Sequence, residues 1–140
     1  MRFQKLSAVI LAVVTALYAY GSLMHMFNML GLAGFEWLAA PLKWQVLDVV
    51  YLAIDLMVCV GLFRRFRLSV YAFYVAALTQ IGLYTVLRSW ITDVPEAFAL
   101  SPEQVTDLNF LVAFHVICIL LVSITLAFEG LPSDNDTVEA

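Results

Sequence analysis

Four long apolar runs organise the chain: Leu6 to about Leu30, Trp44 to Phe63, Leu68 to Leu87, and Leu108 to Phe128. Each is close to the roughly 20 residues that a helix rising 1.5 Å per residue needs to cross a hydrocarbon core of about 30 Å. The runs are apolar on every face and do not alternate, which argues against β-barrel strands. Helices, which satisfy every backbone group within one segment, are what such runs require. The pattern predicts an all-α polytopic membrane protein, a four-transmembrane-helix bundle over residues 1–128. A disordered cytoplasmic tail is expected at 129–140, where Pro132 and polar residues replace the apolar ones.

The connections carry their own signals. Gly31 to Lys43 contains Phe35, Trp37 and Pro41 and runs into Trp44, a composition suited to lying flat in the headgroup region. Ser89 to Asp107 contains Trp90 and Pro95 and then Ser101-Pro102-Glu103-Gln104. There Ser101 can cap a helix, Pro102 suits its first position and Gln104 completes a capping box. The last helix is therefore expected to begin above the membrane, giving it a length of about 40 Å to Phe128.

Composition strengthens this picture. The 140 residues are 64% hydrophobic and 13% charged, with a mean hydropathy of +0.94, outside the range of soluble domains. Arg2 and Lys5 precede the first run, and Ala19-Tyr20-Gly21 faintly suggests a secretory cleavage site. The run continues well past that point, so it is read as an uncleaved first span. Alternating the loops across the membrane puts Arg2, Lys5, Arg64, Arg65 and Arg67 on one side, against Lys43 and Arg88 on the other. The positive-inside rule then places both termini in the cytoplasm, with the chain in the inner (plasma) membrane. The net charge of −4 comes from acidic loops and tail, which affect orientation little. The one basic cluster is a tight turn and not a nucleic-acid surface. The expected partners are the lipid bilayer and a larger membrane complex or a second copy of the chain. Cys59 and Cys118 both fall within spans, where they act as small apolar residues and form neither a disulfide framework nor a CxxC pair.

Candidate chemistry rests on polar residues inside the runs, each costly at membrane depth and each expected to face the bundle interior. Ser22, His25 and Asn28 form one stripe on the first helix. Asp48 and Asp55 lie seven residues apart on one face of the second. Gln80, Tyr84 and Arg88 recur every four residues on the third helix, and His115 lies on the fourth. Counted inward from the outer ends, His25 and Asp48 are about 7 Å deep, and Gln80, His115 and Asp55 about 12 to 17 Å. Arg88 sits at the outer boundary, where it can reach water or pair with an aspartate. Below these groups the runs are almost purely apolar, which predicts a polar cavity open to the outer face and closed beneath. Taken singly, any of these residues can be interhelical glue worth about 0.6 kcal/mol.

The favoured function is a small accessory or ligand-binding subunit, with His25, Asn28, Asp48, Asp55, Gln80, Tyr84, Arg88 and His115 around a lipid-like or quinone-like molecule and no cofactor. The alternative is a redox subunit in which His25 and His115 ligate haem b, or in which His25 and Met29 contribute to a copper site. Their depth difference of about 6 Å counts against a simple bis-histidine pair unless the helices tilt. A third reading is a proton or solute transport component, since Asp and His chains carry protons. The chain has no nucleophile with an attendant base, no phosphate loop and no HExxH motif, so no catalytic residue is assigned and an independent enzyme is not expected.

Gly21 to His25 late in the first helix, Val60-Gly61-Leu62-Phe63 before a basic turn, and the cytoplasmic termini resemble the DoxX-like group of small bacterial four-helix membrane proteins. The resemblance covers most of the chain and implies a helper subunit of a membrane oxidoreductase complex. No functional residue is carried over from it.

Overall fold

The computed structural model describes residues 2–64 and 66–129; the tail expected after Glu129 and Arg65 of the basic turn lie outside them. The described residues are helical with no strand. Helix α1 is Arg2–Met29, α2 Leu42–Phe63, α3 Arg67–Tyr84, α4 the short Arg88–Thr92, and α5 Pro102–Glu129, with 3-10 turns at Trp37–Ala39 and Glu96–Phe98. The four long helices pack as a ring in the order α1, α2, α3, α5, and α5 closes it against α1.

Among the described residues three helices are long and apolar enough to cross a membrane: Lys5–Met29, Leu42–Phe63 and Pro102–Phe128. Helix α3 is the departure. Its 18 residues begin at the charged Arg67 and stop at Tyr84, giving about 27 Å of helix, whereas the apolar pattern predicts continuation to Leu87. The reason is local. Past Tyr84 the Leu87 N–H reaches the Gly82 carbonyl at 3.0 Å, five residues back, a widened turn in which the β-branched Thr85-Val86 pair leaves the regular ladder. Arg88 then donates from Nε to the Tyr84 carbonyl at 2.9 Å, satisfying a terminal acceptor.

Other ends follow the sequence closely. Helix α1 closes with Gly31 at φ 72°, its N–H on Asn28 O and the Leu32 N–H on Phe27 O, a paired termination that needs the left-handed conformation glycine adopts freely. Helix α5 opens with the expected capping box: the Gln104 N–H donates to Ser101 Oγ at 3.3 Å, and the Ser101 N–H donates to Gln104 Oε1 at 2.8 Å.

The core divides the molecule lengthwise. Toward the α2–α3 turn, Val14, Tyr18, Val58, Phe73, Ala76, Cys118 and Val122 form a continuous apolar plug from all four long helices. Toward the other end a smaller group of Tyr51, Leu83 and Ile91 packs with Trp44 and Tyr84. Outward faces are apolar as well, with Val9, Val13, Leu56, Val75, Ile117 and Ile124 all exposed, as helices surrounded by hydrocarbon require.

Candidate functional site

Above the plug the ring opens into two cavities that share His25, Asn28 and Tyr84 in their walls. The outer one, about 460 Å³, lies under the connecting segments, with Phe35, Trp44 and Phe98 forming an edge-to-face aromatic cluster at centroid separations of 6.2 to 6.4 Å. The lateral one, about 620 Å³, lies where α1 meets α5. Tyr20 and Met24 of α1 and Phe110 and Leu111 of α5 line it while also facing the protein surface, so it opens sideways between these two helices.

The two aspartates of α2 have opposite surroundings. Asp48 is fully engaged: Oδ1 accepts from His25 Nδ1 at 2.8 Å and Asn28 Nδ2 at 3.0 Å, and Oδ2 accepts from Trp37 Nε1 at 2.9 Å. These bonds tie α1 and the connection between α1 and α2 to α2. Asp55, only 3% exposed, has His25 Nε2 at 3.9 Å from Oδ2, and its Oδ1 has no hydrogen-bond partner among the described residues. His25 thus bridges the carboxylates, with its ring stacked on Tyr51 at 6.1 Å.

Gly21 is what lets Asp55 sit there, since a Cβ at position 21 would fall 2.8 Å from Asp55 Oδ2. Across the lateral cavity, the Tyr18 hydroxyl is buried and also without a partner. His115 donates from Nδ1 to the Leu111 carbonyl at 2.6 Å and packs edge-on against Tyr18 and Phe114, so its Nε2 remains an acceptor. The buried Gln80 side chain and the Tyr84 side chain line the same space. Hydrogen-bonding groups with spare capacity therefore converge on an otherwise apolar chamber, and a buried polar atom left unmade costs about 1 to 3 kcal/mol.

Of the residues expected from sequence, His25, Asn28 and Asp48 meet directly, and His25, Asn28, Asp55, Gln80, Tyr84 and His115 share the lateral cavity. Arg88 does not join them. The break after Tyr84 takes it off the Gln80 and Tyr84 stripe; it bonds the Tyr84 carbonyl and Asn109 Oδ1, not an aspartate, and lines neither cavity. Met29 is half-buried and also lines neither. Both ring nitrogens of His25 are turned to carboxylates, and among the described residues no group of three or more His, Cys, Asp or Glu is arranged to hold a metal. Ser22 bonds back to the Tyr18 carbonyl at 3.1 Å.

Sequence reasoning missed Tyr18, Gly21 and Trp37. Tyr18 was accessible, because it stands four residues before Ser22 and seven before His25 on the same face. For Trp37 there was no signal, because its bond to Asp48 depends on how the connection folds back over α2. Comparison with known protein families, with curated proteins and with solved structures returns no match for this chain.

Proposed function

We propose that this chain is an inner-membrane protein that crosses the bilayer four times, with both termini cytoplasmic, and that its lateral cavity holds the head group of a lipid-like molecule. Helix α3 serves as the fourth span. Its length of about 27 Å is near the hydrocarbon thickness, and it packs between α2 and α5, both of spanning length. The cavities lie in the outer half, above the apolar plug. The likeness to the DoxX-like group fits an accessory subunit that presents or retains such a molecule for a larger membrane complex.

One observation carries this reading: Asp55 Oδ1 and the Tyr18 hydroxyl are buried without partners in a 620 Å³ chamber that opens between α1 and α5. Apolar walls with a few placed polar groups are the usual form of a small-molecule site. The test is extraction of protein purified in detergent-free polymer discs, followed by mass spectrometry of the organic fraction. A near-stoichiometric amphiphile is expected with the native chain and not with Asp55→Leu, which still inserts and leaves the complex it serves inactive. Equal content in the two proteins overturns the proposal.

A further inference from the structure

We propose that the lateral cavity selects a cationic amphiphile, a long-chain primary amine whose ammonium group sits on Asp55 and whose tail leaves between α1 and α5. This rests on the lateral cavity being the ligand site.

The argument starts from charge. Asp55 and, at the surface, Asp107 line the lateral cavity, and no Lys or Arg does. The nearby basic residues are committed elsewhere: Arg88 bonds the Tyr84 carbonyl and Asn109, and Lys43 bonds the carbonyls of Trp90 and Asp93. In the array Asp48, His25, Asp55, two carboxylates share one imidazole, so the fully ionised array is one positive charge short. Asp48 already has three donors, which leaves the deficit at Asp55. A carboxylate in a low-dielectric interior is costly until a proton or a cation neutralises it, and an ammonium does so while also donating to the oxygen left without a partner.

Head-group chemistry follows from the remaining atoms. An anion would meet Asp55 with like charge. An alcohol offers one hydrogen bond and leaves the charge uncompensated. A primary ammonium brings one charge and three donors, and the cavity holds acceptors for them at Asp55 Oδ1, the Tyr18 hydroxyl and the Gln80 amide. The rings of Tyr18, Tyr84 and Phe114 in the wall add cation–π attraction. Exposed Tyr20, Met24 and Phe110 at the opening supply an apolar exit for the chain.

The experiment is calorimetric titration of the protein in phosphatidylcholine discs with dodecylammonium, dodecanol and dodecyl sulfate, corrected against empty discs. Dodecylammonium is expected to saturate at one per chain, dodecanol to bind at least about tenfold more weakly, as loss of a charge-assisted hydrogen bond implies, and dodecyl sulfate to show no saturable binding. Asp55→Asn should bring the amine down to the alcohol's affinity. Gly21→Ala supplies a second test should Asp55→Asn fail to fold, because its Cβ displaces the carboxylate and should weaken the amine alone. Equal binding of amine and alcohol, or amine binding untouched by both variants, overturns the charge selection and leaves the lateral site standing. No saturable binding by any of the three probes overturns both.

Discussion

Asp48 and Asp55 occupy one face of α2, two turns apart, and residue identity alone gives them equal weight. Their neighbours separate them. Asp48 accepts three hydrogen bonds that join α1, α2 and the connection between them, whereas Asp55 leaves one oxygen unpaired among the described residues, beside a cavity. The expected consequence is a split between stability and binding. Asp48→Ala strands the donors of His25, Asn28 and Trp37 and should cost about 3 kcal/mol, the range seen when a buried pair loses one member. Asp55→Ala should leave stability unchanged or raise it by about 1 to 3 kcal/mol, since it removes a buried group with an unmet bond. Unfolding of both variants in mixed micelles, monitored by circular dichroism, measures the difference, and equal losses would return Asp55 to a structural role.

Among the helices, the ends were the most legible features. Ser101, Pro102 and Gln104 form a local signal that needs no tertiary information, and the capping box is present as the residues imply. Ser101→Ala should cost about 1 kcal/mol and speed hydrogen exchange at the Gln104 amide about fivefold. Because Leu100, Gln104 and Leu108 line the outer cavity, the same change should loosen its rim. Exchange at Gln104 unchanged from the native chain would show that the cap is not what holds this end. The end of α3 was not legible. An apolar run through Leu87 shows no break, and at the observed end Arg88 donates to the Tyr84 carbonyl, which another regular turn would have paired within the helix. That one break removes Arg88 from the candidate site.

For the whole molecule, the number of crossings is an even-or-odd question that reporters can answer. If α3 crosses, both termini share a side. Green fluorescent protein fused to either end should then fluoresce, and alkaline phosphatase fused at the C-terminus should be inactive. An active phosphatase would leave three crossings and reverse α5. Lys43 is tied to the Trp90 and Asp93 carbonyls, so the connection after α3 lies at the same end of the bundle as the connection between α1 and α2.

The apolar runs by themselves determined the all-helical class and most of the polar residues that face inward, while the helix bounds depart from the runs by up to six residues and Arg88 leaves the list. The class and the inward faces depend on length, periodicity and the cost of an unsatisfied backbone or side chain in hydrocarbon, all local properties. Tertiary structure alone decided how that list is divided. Spacing on a helix fixes a face but not the partner opposite it, so only the packed ring could give Asp48 three donors, leave Asp55 and Tyr18 with unmet atoms among the described residues, and bring Trp37 of the connection between α1 and α2 onto Asp48. Where the ring is loosest, between α1 and α5, it also left the opening that makes those unmet atoms reachable from the side.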